Sequence, residues 1–236
     1  MMDRIKYPRT MNFEWSGSNS SDDVWWKNCD AFKDQRVVMT EKLDGECTSI
    51  YPDGTCHARS LETAHHPSRS WIKKYAATFA HDIPEGWRVC GENLYAWHSI
   101  YYIDLPTYFF VYGIYDHNNI CISWDQTVEM CELLGINTVP VIYQGEWDEN
   151  KIRGLWQGKG LFPTFATRVE YPSPPDDFFP CDAEGYVVRL AKEFPYDQFR
   201  HSCAKMVREN HVQTATNWMT RSVLPNMLKD DKAPVL

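Results

Sequence analysis

The chain has 236 residues, 43% of them hydrophobic and 24% charged, which bounds it to one substantial folded domain with small appendages. Ten tryptophans and thirteen tyrosines exclude a disordered protein, and a net charge of −8 argues against a generic nucleic-acid binder, although a cleft can be locally basic on an acidic surface. Eight cysteines without a Cys-x-x-Cys pair, no signal-peptide pattern and no apolar run of membrane-span length make reduced thiols in the cytoplasm the simplest setting, with no membrane partner.

From Arg4 to Asn28 the chain mixes Pro, Ser, Gly, Asp and aromatics without periodicity, so residues 1–35 read as an irregular arm packed on the domain. Strands are predicted at Arg36–Thr40 and Glu46–Tyr51, then a Pro52-Asp53-Gly54 turn and a returning strand over Thr55–Arg59. Trp71–Phe79 reads as a helix, and Trp87–Glu92 and Tyr108–Tyr115 as strands. Ser123 and Gln126 form a capping box for a helix that runs to Leu134 and stops at Gly135. A short strand at Val139–Tyr143 and a helix at Asp148–Leu155 follow. Tyr171–Pro180 is a Pro-rich connector, and Glu184–Leu190 and Phe199–Val207 are the last strands. Strands with interspersed helices but no regular βαβ alternation indicate an α+β domain of antiparallel or mixed sheets over residues 36–210. The remaining 211–236 form a short, helical tail, too small for a second domain.

The stretch Glu41-Lys42-Leu43-Asp44-Gly45-Glu46 ends the apolar run Val37-Val38-Met39 with a lysine, a carboxylate and a glycine turn. Strand alternation sends Lys42 and Asp44 to the same face. Two readings stand at this point. One is a lysine nucleophile whose pKa is lowered by partial burial and neighbouring cations. The other is a salt bridge beside a tight turn. The Cys56-His57 and His65-His66 pairs lack the partner spacing of a zinc site and read as structural and as surface loop.

Downstream come, in order, Ala58-Arg59-Ser60, Cys90-Gly91-Glu92-Asn93, Tyr108–Ile114, Glu184-Gly185-Tyr186-Val187-Val188-Arg189 and Ala204-Lys205-Met206-Val207-Arg208. Each motif alone is unspecific. Their order and spacing resemble the covalent nucleotidyltransferase superfamily of polynucleotide ligases and capping enzymes, and within it the RNA ligase family, from about Lys6 to Trp218. The resemblance implies an adenylation domain in which Lys42 forms a phosphoramidate with AMP. It gives Glu41 the adenine edge, and places Asp44 and Gly45 beside the lysine and the metal. Arg59 would contact nucleotide sugar or nucleic-acid phosphate, Glu92 the ribose hydroxyls, and Tyr112 would stack on adenine. Family members often carry an aspartate after that aromatic, where this chain has Gly113. Glu184 would bind Mg²⁺ or Mn²⁺, and Lys205 the α-phosphate. Many relatives have two lysines one residue apart there; Cys203 and Val207 flank Lys205, and Arg208 is taken as the substitute cation. His98 also fits the family pattern, in a structural hydrogen-bonding role.

The same resemblance implies ATP as cofactor, RNA with 5′-phosphate and 3′-hydroxyl ends as substrate, and strand sealing through lysyl-AMP and an RNA-adenylate. Alternatives within the fold are a DNA ligase or a GMP-transferring capping-type enzyme. Only 28 residues follow Arg208, which predicts no C-terminal OB domain and speaks against both. Gripping the RNA then falls to the arm, the tail around Trp218 or an additional polypeptide. A different alternative is a catalytically idle accessory subunit that binds nucleotide or RNA ends. The retained Lys42, Asp44, Glu92, Glu184 and Lys205 speak against it.

Overall fold

A computed structural model describes residues 3–18, 23–61, 66–167, 178–211 and 222–230. In chain order its strands are β1 (Met11–Asn12), β2 (Arg36–Lys42), β3 (Glu46–Ile50), β4 (Cys56–Ala58), β5 (Arg88–Asn93), β6 (Tyr101–Tyr102), β7 (Phe109–Tyr115), β8 (Ile120–Cys121), β9 (Asn137–Thr138), β10 (Val141–Glu146), β11 (Thr164–Thr167), β12 (Phe178–Pro180), β13 (Gly185–Leu190), β14 (Phe194–Pro195) and β15 (Cys203–Val207). The helices are α1 (Ser70–Phe79), α2 (Trp124–Leu134), α3 (Glu149–Leu155) and α4 (Phe199–Ser202).

Two larger sheets carry the α+β architecture expected from the sequence. The first has the order β1-β15-β13-β2-β10. The second runs β14-β8-β7-β5-β3-β4, with β9 paired to β7. Central β2 is covered on both faces, which is why its sequence reads as a continuous apolar run rather than an alternating one. Helices α1 and α2 cover the second sheet. Ile72, Ala76 and Phe79 of α1, and Cys131 and Leu134 of α2, pack with Ile50, Val89, Phe109, Val111 and Ile114. The capping box at Ser123 forms, and Gly135 ends α2 in the left-handed conformation at φ 65°. Between the sheets, Val38 and Leu43 meet Leu94, Tyr102, Phe110 and Val139. A smaller sheet, β12-β11-β6, brings Tyr102 to that junction.

Several predicted elements differ in their limits. Phe199–Val207 is not one strand: Phe199–Ser202 form a helical turn closed by Ser202 Oγ donating to the Gln198 carbonyl, and only then does β15 begin. The strand predicted at Val139–Tyr143 starts at Val141, because Pro140 has no N–H for the ladder; its carbonyl instead accepts from Glu41 N–H. The tail prediction of helix fails for residues 222–230, which are extended and bridge Ala96 to Pro225 and Leu105 to Leu228. Asn226 fixes them there, donating to the Leu94 carbonyl and accepting from Tyr102 N–H. Residues 212–221, including Trp218, and the connector stretch 171–177 lie outside the described residues, as does His65.

The arm is integrated into the fold more deeply than its irregular sequence implies. β1 pairs in parallel with β15, Met11 opposite Ala204 and Asn12 opposite Lys205. Phe13 is fully buried, stacked on Trp15 at 4.5 Å and packed against Trp26, Phe32 and Trp147. Phe13→Ala is expected to cost about 3–5 kcal/mol, the range for deleting a buried aromatic. Urea denaturation checks this; a change near zero would mean that the arm is dispensable packing.

Candidate active site

A cleft of about 880 Å³ opens between the two large sheets. The first sheet contributes Thr40, Lys42, Val187 and Lys205, and the second Cys47, Ala58, Glu92 and Tyr112. Register explains the convergence. Lys42 ends β2 opposite Gly185, the first residue of β13, so Glu184 emerges beside the lysine. A side chain at position 185 would collide with the Met206 carbonyl across the ladder, so only glycine permits this approach. The Lys42 ammonium donates to Glu184 Oε2 at 2.9 Å, with the two side chains 22% and 7% exposed.

Immediately beyond β2 the chain turns under β5. A Cβ on Gly45 would lie 2.6 Å from the Asn93 carbonyl oxygen, and the Gly45 N–H donates to Glu92 Oε1 at 3.2 Å. Asp44 is held by three contacts. Its Oδ2 accepts from the N–H groups of Ser99 and Ile100 at 2.8 and 2.7 Å, and its own N–H donates to the Tyr102 hydroxyl. The order of Asp44, Glu92 and Glu184 around one ammonium governs the local electrostatics. Burial pushes the Glu92 carboxyl up to about 8, aided by Glu184 and Asp44 and opposed by Lys42. Burial and Glu184 likewise push Asp44 up to about 6. For Lys42 burial lowers the pKa, yet Glu184, Glu92 and Asp44 outweigh it and leave the lysine above its ordinary value. The expected lowering is therefore corrected: the charges that dominate at Lys42 are carboxylates, not cations.

Of the other sequence-predicted residues, Glu41, Arg59, Tyr112 and Lys205 line the cleft. Glu41 is 2% exposed; its Oε2 accepts from Leu161 N–H at 2.7 Å, while its Oε1 has no hydrogen-bond partner among the described residues. Tyr112 occupies a β-bulge. Cys90 and Gly91 on β5 face Gly113 and Val111 on β7, which leaves Tyr112 as the extra residue, a device that re-aims a side chain. Its hydroxyl donates to Cys47 Sγ at 3.0 Å. Lys205 lies 3.8 Å from Asp23, and its pKa is lowered, first by burial and then by Lys42. Arg208 does not join them. Its guanidinium donates to the carbonyls of Ala183, Glu209 and Asn210, and it is absent from the cleft wall, so the substitute-cation expectation is corrected. His98 is buried beside the cleft, and His57 is tied to Tyr51 and the Ala58 carbonyl.

Sequence reasoning missed several groups. His211 Nε2 lies 3.4 Å from Glu184 Oε1, with no signal beyond its place after β15. Arg69 forms an ion pair with Glu46 at the cleft wall, although the two sit 23 residues apart. Tyr7, Arg9 and Asp23 of the arm also line the cleft. The donor set accords with a hard cation: three acidic side chains, with Glu92 and Asp44 both raised, hold more carboxylate than the local ammonium balances. Among the described residues no three His, Cys, Asp or Glu side chains form a ready-made cage. A cation here would take Glu184 and phosphate oxygens as ligands, the usual manner of Mg²⁺.

A family model described as RNA ligase matches residues 35–207. Among solved structures the chain resembles a variant of the Naegleria gruberi RNA ligase with AMP and Mn, at a TM-score of 0.54 and 14% identity over 86% of this chain and 56% of that one. Two further variants of that ligase, one apo and one with ATP and Mn, match at TM-scores of 0.50 with 15% and 14% identity. Each covers 76% of this chain, against 51% and 52% of theirs. The chain thus spans about half the length of the structures it matches. No curated protein sequence matches it.

Glu41 supplies a pH test of this geometry. Burial pushes its carboxyl from 4.5 up to about 7, against the pull of Leu161 N–H. The folded state therefore holds a proton that the unfolded chain releases near pH 4.5, and the stability so contributed is lost as pH rises toward 7. Relative to Glu41→Gln, wild-type unfolding free energy is expected to fall by about 3 kcal/mol across that interval. Urea titrations at both ends check it; a constant difference would place the carboxylate in solvent.

Proposed function

This chain belongs to the RNA ligase family, and from that premise we propose that it is an ATP-dependent RNA ligase with Lys42 as its nucleophile. The observation that carries the reading is the pairing of Lys42 with Glu184 in a cleft also lined by Glu92, Arg59 and Lys205. The ATP, AMP and Mn named with the structural neighbours support ATP and Mg²⁺ or Mn²⁺ as cofactors. Membership of the family supports RNA with 5′-phosphate and 3′-hydroxyl ends as substrate. Eight free cysteines accord with a cytoplasmic setting, and among the described residues no helix is long and apolar enough to cross a membrane.

In this reading Lys42 loses a proton, and its amine attacks the α-phosphorus of ATP. A P–N bond forms as the bond to the bridging oxygen breaks, and pyrophosphate leaves. The AMP then passes to the 5′-phosphate of RNA: a P–O–P linkage forms, the P–N bond breaks, and Lys42 regains its proton. A 3′-hydroxyl finally attacks the RNA 5′-phosphorus and AMP departs. Splitting one condensation into activated steps is the gain of covalent catalysis. A divalent cation, when bound, neutralises phosphate charge and relieves the hold of the carboxylates on the Lys42 proton. Glu184 orients the amine, Glu92 accepts from the ribose hydroxyls, Tyr112 stacks on adenine, and Glu41 faces the adenine edge. Asp44 and Gly45 set the turn beside the lysine, while Lys205 and Arg59 hold phosphate. Positioning and electrostatics supply most of the acceleration in phosphoryl transfer.

Incubation with α-labelled ATP and Mg²⁺ is expected to give an acid-labile, base-stable adduct on wild type and none on Lys42→Ala. Equal labelling of both would sink the nucleophile assignment, and label from GTP alone would transfer the reading to cap formation. Glu184→Gln should slow labelling by on the order of 10²–10³-fold. Because the Lys42 pKa is raised, its reactive amine grows with pH, and the labelling rate should climb between about pH 6.5 and about pH 8.5. Failure of the labelled protein to join nicked, splinted or single-stranded 5′-phosphorylated RNA would remove the sealing step while leaving adenylation.

A further inference from the structure

The family match ends at residue 207, the last of β15, yet the chain just beyond it returns to the site. Gly185 pairs with Val207, and Arg208 N–H donates to the Glu184 carbonyl at 2.9 Å, so the chain leaves the ladder directly beside Glu184. It then turns over Glu209 and Asn210. Asn210 adopts the left-handed conformation at φ 55°, which asparagine tolerates better than most residues with a side chain. The arm closes the turn from the other side. Gly17 N–H donates to the Val207 carbonyl, and a Cβ on Gly17 would lie 2.6 Å from the Glu209 nitrogen.

Arg208 staples this turn. Its guanidinium donates to the Ala183 carbonyl at 3.1 Å and to the Glu209 and Asn210 carbonyls at 3.3 Å, which ties the residues after β15 to the residue before Glu184. His211 follows, and its Nε2 lies 3.4 Å from Glu184 Oε1. The other oxygen, Oε2, accepts from the Lys42 ammonium at 2.9 Å. The two oxygens of one buried carboxylate therefore face different partners, one at the end of β2 and one beyond β15. A carboxylate held through one oxygen can swing about its terminal torsion, which is broad and soft. A contact on each oxygen fixes its plane. The His211 contact needs a proton on Nε2, which the charged ring and one neutral tautomer both carry.

We propose that His211 is a positioning residue of this site: it holds Oε1 of Glu184 so that Oε2 is presented to Lys42, and Arg208 supplies the turn that delivers it. The proposal rests on the ligase reading for the reaction it serves. Once the Lys42 nitrogen carries AMP it no longer offers an ammonium to Glu184, and His211 then keeps the carboxylate in place.

Two measurements on the full chain test it. In nitrogen NMR of protein with isotope-labelled histidine rings, the His211 Nε2 signal, identified by its loss in His211→Ala, should shift in Glu184→Gln. In single-turnover labelling with α-labelled ATP and Mg²⁺, His211→Ala should lower the maximal rate by about tenfold, the low end for a group that orients a site carboxylate, with the half-saturating ATP concentration unchanged. His211→Gln, whose amide nitrogen can donate to the same oxygen, should recover most of that rate. Added to Glu184→Gln, His211→Ala should cause no further loss. His201→Ala, exposed on α4, should label as wild type does. A His211 signal that ignores Glu184→Gln overturns the proposal, as does a rate loss that adds in full to that of Glu184→Gln, or an effect on half-saturation alone. A wild type that shows the shift in Glu184→Gln but forms no AMP adduct would sink the ligase reading alone. An adduct-forming wild type with unchanged labelling in His211→Ala would sink the His211 role alone.

Discussion

One ammonium set among three carboxylates is the constraint on which the site depends. Lys42 is tied to Glu184 because the β2–β13 register places Gly185 opposite Lys42, which brings the carboxylate that precedes it against the ammonium. Largely buried charges of this kind contribute little net stability, since desolvation offsets their attraction. Their worth is positional. Removing either partner strands the other in a poorly solvated wall, which couples the lysine's chemistry to the strand pairing. The crowding also sets the protonation problem: the carboxylates that orient the amine are the groups that hold its proton. Added positive charge near Glu184 would resolve that conflict, and a divalent cation carried on a phosphate ligand would bring it.

Much of this was legible because the informative signals are local. The Val37–Met39 run, the Ser123–Gln126 capping box and the Gly135 stop each follow from a few adjacent residues, and each appears in place. The ordered motifs brought Lys42, Glu92, Lys205 and Glu184 together correctly, because strand pairing converges what the sequence disperses. The misreadings have a common origin in three-dimensional capture. Arg208 directly follows β15, where spacing favours it, but three nearby carbonyls satisfy its guanidinium. The Lys42 pKa depends on the sum of charges from β2, β5 and the start of β13, and adjacent sequence contains only part of that sum. Pro140 and the Phe199 turn shifted strand limits by local backbone chemistry that hydropathy does not encode.

Gly113 shows how a missing side chain redistributes interactions. A Cβ there would lie 3.6 Å from the Arg189 guanidinium, at the position where relatives often carry an acid. Without it, Arg189 takes carbonyls from Tyr112 and Ile122 and the ring face of Phe194 at 5.1 Å. The bulge that aims Tyr112 is thereby pinned from behind by a cation. The Tyr112 bulge and the interior arginine are mechanically linked, although they lie on different sheets.

The parallel pairing of β1 with β15 joins two segments far apart in the chain, and that has a consequence for how the protein is made. Translation delivers the arm long before its partner strand. Through most of synthesis Phe13 and its aromatic neighbours have no β15 to dock against. Such distant pairing raises contact order and delays closure, and it leaves apolar surface open in the interim. The β15 side of the cleft is consequently a late product of folding. An interrupted translation product would retain Lys42 yet lack Lys205 and the β15 side of the cleft.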